Sequence, residues 1–154
     1  MQETLDDELT EALLTASRAL VGCAARSVSG LAADVTLPQL RLLVMLSTHG
    51  TRNLAQLAVA LDVQPSTATR MCDRLVAKGL VDRQTSADSR REIDLSLTSE
   101  GKALVRAVMR RRRREIARLV AAMDRSHVDT LIKGLREFAA AAGESSVVTG
   151  DFLP

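Results

Sequence analysis

Three hydroxyls and two guanidiniums, spaced for one side of a helix, carry the chemistry of this chain. Within residues 64–78, QPSTATRMCDRLVAK, the apolar groups Ala68, Met71, Cys72, Leu75 and Val76 recur at helical spacing and must face a core. That leaves Ser66, Thr67, Thr69, Arg70, Asp73 and Arg74 on the outer side, with Gln64 at the start. Ser and Thr form helices less readily than Glu, Lys or Gln, so a face kept only for solubility would not favour them. Short hydroxyls let a helix come close to a duplex, and two arginines one turn apart reach base edges or phosphates. A solvated helix with incidental threonines is the plain alternative when the segment is taken alone.

The residues that follow weigh against that alternative. Pro65 suits a first helical turn and Gly79 the position just past a helix end, which brackets the segment. After Gly79, Leu80, Val81, Asp82 and Arg83 enter a strand, and Ile93, Leu95 and Leu97 alternate with Asp94 and Ser96 in the next. Between them QTSADSRR is polar and charged, with Asp88, Arg90 and Arg91 near its exit, as in a hairpin that lays cations along a phosphate backbone. Helix, strand, basic loop and strand describe a winged helix-turn-helix, with a two-stranded ribbon over residues 80–97 as its wing.

The elements that must position this unit are helical. Thr36 with Gln39, and Asn53 with Gln56, have the spacing of capping boxes and open helices two and three. Leu40, Leu43, Val44 and Leu46 supply the buried side of helix two, and Leu54, Leu57, Ala58 and Leu61 that of helix three. Upstream, residues 3–28 form one long helix with a stripe at Leu5, Leu9, Leu13, Ala16, Leu20, Cys23 and Ala24. Downstream, Thr98 or Ser99 caps a fifth helix reaching about Met123, and Ser126 and Asp129 begin a sixth with Val128, Leu131, Ile132, Leu135, Phe138 and Ala142 in its stripe. The resulting fold class is mainly α with a small β-wing (α+β). Residues 1–35 are an N-terminal dimerisation helix and loop, 36–98 the DNA-binding unit, 99–143 helix five and dimerisation helix six, and 144–154 a tail. Long apolar-faced helices at both ends predict an intertwined two-fold homodimer.

Composition narrows the function further. Phe138 and Phe152 are the only aromatics, so a core of Leu, Val, Ala and Met favours helix on helix. A net charge of +2 says little, but residues 1–11 carry five acids and no cation, whereas residues 101–118 carry eight cations against Glu115. Arg110 to Arg114 span more than a turn, so they read as a solvated middle of helix five. With no long apolar run and an acidic start, the expectation is a cytoplasmic protein without membrane contact. Cys23 and Cys72 sit on apolar helical faces and read as buried free thiols. His49 and His127 are too few and too far apart for a metal motif, and no phosphate loop, nucleophile elbow or His-Glu-x-x-His helix occurs. No enzyme, metal or cofactor is expected.

In their order, LPQLRLLVML, NLAQLAVALDVQPSTATRMCDRLVAKGLVDR and SADSRREIDLSLTSEGKAL resemble the MarR family of transcriptional regulators, over residues 36–104. The resemblance implies that Ser66, Thr67, Thr69, Arg70 and Arg74 read a groove and that Arg91 is the wing arginine entering or lining a minor groove. Where the family usually has an Asp two residues before that arginine, this chain has Ser89, which leaves Asp88 as a substitute partner and Arg90 as a substitute arginine. It also implies a small anionic or apolar effector, and the peroxide-sensing branch of the family makes Cys23 a redox candidate. The expected function is a dimeric repressor on an inverted-repeat operator in double-stranded DNA. The competing expectation is a protein-interaction module that kept the fold without binding DNA.

Overall fold

The computed structural model describes residues 1–31, 34–86 and 92–144. In chain order the elements are α1 (Gln2–Val28), α2 (Leu37–His49), β1 (Arg52–Asn53), α3 (Leu54–Leu61), α4 (Pro65–Ala77), β2 (Val81–Thr85), β3 (Ile93–Leu97), α5 (Ser99–Ala121) and α6 (Val128–Ala141). Both capping boxes form. The Gln39 N–H donates to Thr36 Oγ1 at 3.4 Å while Gln39 Oε1 accepts from the Thr36 N–H at 3.1 Å. The Asn53–Gln56 pair closes in the same reciprocal way at 2.9 and 3.1 Å. Each box satisfies donors that a helix start leaves unpaired, which fixes where α2 and α3 begin.

The core lies under α2, α3, α4 and the first half of α5. Leu42, Leu43, Leu57, Cys72, Leu75, Leu95, Val105 and Val108 are fully enclosed there. Leu42 was not among the expected inward positions. It is enclosed because α2 is covered on two sides, by α3 and β3 and by α5, so its buried arc is wider than one stripe.

The sheet has three strands rather than the expected two, in the order β1-β3-β2 and antiparallel throughout. Arg52 and Asn53 pair with Leu95 and Asp94, and Val81 to Thr85 pair with Leu97 to Ile93. A two-residue strand has no periodicity to read, so only the pairing reveals it. Ile93, expected inward, is exposed because the ribbon has by then run beyond the core, whereas Leu95 and Leu97 are buried.

The wing joins α5 through a tight contact. Thr98 Oγ1 accepts from the Gly101 N–H at 2.9 Å and donates to the Gly79 carbonyl at 2.7 Å, tying the start of α5 to the end of α4. Gly101 is buried against the Leu80 carbonyl, which leaves no room for a Cβ. α1 packs chiefly on α5. Arg111 donates to the Ser29 carbonyl at 2.6 Å, closing the C-terminal end of α1, so one of the five consecutive arginines has a specific structural task. Glu115 accepts from Arg26 at 3.3 Å and from Arg118 at 3.0 Å.

The last helix begins differently from expectation. Asp124 caps a short 3-10 turn at Arg125–His127, accepting from the Ser126 N–H at 2.9 Å, and that turn leads into α6, whose own N-cap position, His127, makes no side-chain cap bond. That N–H holds the Asp124 carboxyl below its usual range. No residue of α6 is buried, and the stripe of α1 is enclosed only from Cys23 onward.

Candidate nucleic-acid interface

α4 owes its orientation to its inner face. Ala68, Cys72 and Leu75 are buried with Met71 and Val76 partly so, matching the expected stripe. The outer face therefore carries Gln64, Ser66, Arg70 and Arg74 exposed, with Thr67 and Thr69 half-buried beside them. Pro65 opens the helix, and Gly79, at φ +68°, turns the chain away after Lys78 in a left-handed conformation that glycine adopts without strain. Lys78 Nζ donates to the Asp34 carbonyl, which anchors this end to the loop before α2.

Two outer groups fold back on the helix itself. Thr69 Oγ1 donates to the Pro65 carbonyl at 2.9 Å, and Arg70 Nε donates to the Ser66 carbonyl at 3.3 Å. Arg70 thus lies along the first turn with its terminal nitrogens still available. Among the described residues Arg74 forms no ion pair. The face holds cations with unspent donors, suited to phosphates or guanine edges.

Two contacts that sequence spacing did not reveal hold the wing, one against this helix and one against the start of α3. Arg83 on β2 pairs with Asp73 on α4 at 3.0 Å, and Asn53 Nδ2 donates to the Glu92 carboxylate at 3.2 Å. Each joins residues far apart in the chain. Of the expected wing residues, Asp88, Arg90 and Arg91 lie outside the described residues, as does Ser89.

Both cysteines are fully buried and free, as expected. Burial pushes the Cys72 thiol up to about 11, the nearby Arg83 offsetting only part of that effect, so it stays protonated at neutral pH. Cys23 has a cation beside it that the sequence did not point to. Arg26, one turn on, donates to Cys23 Sγ at 3.4 Å and to Glu115 with another nitrogen. Among the described residues no group of three or more His, Cys, Asp or Glu is placed to hold a metal, and no helix is long and apolar enough to cross a membrane.

Comparisons with known proteins agree with this arrangement. The family model described as MarR family matches residues 35–93, which runs from the loop before α2 through the start of β3. Among curated proteins, the HTH-type transcriptional repressor MdtR of Bacillus subtilis (strain 168) is 40% identical over 84 residues, covering 54% of each chain. The matched stretch thus spans about half of that relative's length. The HTH-type transcriptional regulator MT0903.1 of Mycobacterium tuberculosis (strain CDC 1551 / Oshkosh) is 33% identical over 97 residues, 63% of this chain and 68% of that one. Among solved structures, RV1404 from Mycobacterium tuberculosis is 47% identical and superposes with a TM-score of 0.85 over 91% of this chain and 95% of that one. With its capped three-helix core, the hydroxyl-and-arginine face of α4 and an antiparallel wing in the family's order, the chain belongs to the MarR family of winged helix-turn-helix transcriptional regulators.

Proposed function

We propose that this chain is a homodimeric, sequence-specific DNA-binding repressor that reads an inverted-repeat operator and is released by a small ligand. The observation that carries the DNA reading is the outer face of α4, where Arg70 and Arg74 stand exposed beside Ser66 and Thr67 while the inner face is locked into the core. Ser66, Thr67, Thr69, Arg70 and Arg74 read the groove with Gln64 at the start of their helix, with Arg91 on the minor-groove side and Asp88 or Arg90 completing the wing. Similarity to a protein named a repressor supports that sign of regulation. The exposed apolar faces of α1 and α6 support the two-fold partner.

Binding to a random-sequence duplex pool tests this reading. Selected sequences should be palindromic with half-site centres roughly 34–36 Å apart. Their affinity should fall with salt at a slope of about 0.9 per phosphate neutralised. Affinity independent of salt would favour the protein-interaction module instead.

A second reading, cysteine-based redox sensing, is favoured by the Arg26 guanidinium placed against Cys23 Sγ and opposed by complete burial of that sulfur. Under it, peroxide releases the operator from the native protein and not from Cys23→Ser. Equal release from both excludes Cys23.

A further inference from the structure

Beside the first turn of α4, on the side toward the wing, lies a cleft of about 720 Å³ between α3, α4 and β3. Its apolar lining includes Leu54, Ala58, Val59, Val63, Pro65 and Ile93. Val59 is 82% exposed, an unusual position for a valine on a helix whose neighbours Leu57 and Ala58 are buried. The charged groups among the described lining residues are both acids, Asp62 and Glu92. Both are exposed, and neither forms an ion pair among the described residues, although Glu92 accepts a neutral hydrogen bond from Asn53. No described lining residue is a cation, and Arg90 and Arg91, which precede Glu92, lie outside the described residues.

This chemistry sets the cleft apart from the rest of the DNA-facing surface. Two carboxylates without an ion pair among the described residues repel a phosphate, so the DNA backbone is a poor occupant although the cleft adjoins the reading helix. They repel an anionic aromatic effector for the same reason. Apolar walls hold a drug-sized organic body, and the volume falls within the roughly 300–1,000 Å³ that such molecules occupy. We propose that the cleft binds a lipophilic organic monocation, its body against Leu54, Val59, Val63 and Ile93 and its charge beside Asp62 and Glu92.

The location couples that ligand to DNA. Pro65 begins the reading helix and Ile93 begins the returning strand of the wing. A molecule seated between them stands where a duplex must close on both, so cation and duplex compete. This last step rests on the DNA reading above, whereas cation binding does not.

Equilibrium dialysis of the full chain without DNA tests the site, using tetraphenylphosphonium and tetraphenylborate, which are nearly alike in shape and opposite in charge. The phosphonium should bind at least about tenfold more tightly. Asp62→Asn combined with Glu92→Gln should weaken it by about tenfold, two exposed carboxylates contributing up to about fivefold each. Both substitutions are near-isosteric, and Asn tolerates the left-handed backbone at residue 62, where φ is 53°. Ala55→Trp, from an exposed lining position, should fill the cleft and remove binding. Equal affinity for the two probes, or an unchanged affinity in the doubly neutralised variant, overturns the proposal. In a second arm, saturating phosphonium should weaken the native protein's duplex affinity by at least about tenfold and leave the doubly neutralised variant's unaltered. No weakening in the native protein overturns the competition. Absence of duplex binding before any cation is added overturns the DNA reading and leaves the dialysis result standing.

Discussion

Burial pushes the Cys72 thiol up to about 11 in the folded protein, against an ordinary value near 9, and so links one side chain to stability at high pH. The folded state holds its proton over a range in which the unfolded chain has released it. This contribution is complete below pH 9 and is lost as pH rises to about 11. Denaturant melts followed by circular dichroism should show the native protein losing roughly 2 kcal/mol more than Cys72→Ala across that interval. Parallel losses would mean the thiol is solvated. Arg70 carries a second prediction at this scale. Arg70→Ala should relax base preference by roughly 1–3 kcal/mol at one operator position, read by competition among single-base operator variants. Uniform loss on every duplex would make Arg70 a phosphate contact. The outward placement of Arg70 and Arg74 was legible because helical periodicity assigns every residue of α4 to a side. The return bonds of Thr69 to Pro65 and Arg70 to Ser66 were not, since spacing permits such bonds without choosing between them and solvent.

Elements that announce themselves by capping chemistry were legible to the residue. Thr36 and Asn53 each carry a partner three residues on, and both reciprocal pairs form. Partners brought together by the fold left no such mark. Asp73 and Arg83 sit on α4 and β2, and β1 exists only because the turn after α2 lays Arg52 and Asn53 along β3. The Asp73–Arg83 pair is largely solvent-exposed, so it adds at most about 1 kcal/mol, and its consequence is the angle of the wing to the helix. The seam between wing and α5 is much less tolerant. Gly101 leaves no room for a methyl group, since a Cβ there would meet the Leu80 carbonyl, whose own partner is the Thr98 N–H at 3.2 Å. Gly101→Ala must push α5 off the strand that leads into the wing, at a cost of about 1–3 kcal/mol. A helix interior otherwise prefers Ala to Gly by about 1 kcal/mol, so the sign of the change is decisive. A stabilised Gly101→Ala protein would show that this contact yields easily.

At the scale of the whole molecule, the ends of the chain are unfinished as a single copy. Leu131, Ile132, Leu135 and Phe138 on α6 are each 40% or more exposed, and Leu5, Leu9 and Leu20 on α1 are likewise open. An apolar gap of about 680 Å³ separates Leu9 and Leu13 from Leu135 and Phe138. These are the stripes that periodicity marked, and their exposure in a single copy is what supports the proposed two-fold partner. Periodicity could not say whether α1 and α6 of one copy would satisfy each other, and within one copy they do not. Burying a Leu or Phe is worth about 1.5–3 kcal/mol, and two-fold symmetry counts every such residue twice. Phe138→Glu should therefore weaken self-association by roughly 3–6 kcal/mol, about two to four decades in the dimer dissociation constant. The helical content of each copy should hardly change, because that side chain already faces solvent in the single copy. Sedimentation across a dilution series separates these effects. Duplexes add a second readout: the variant should lose its advantage on a palindrome over a single half-site, since two reading helices no longer arrive together. A Phe138→Glu protein that still sediments as a dimer and still prefers the palindrome would place the two-fold seam elsewhere, with the α1 stripe as the remaining apolar surface to carry it.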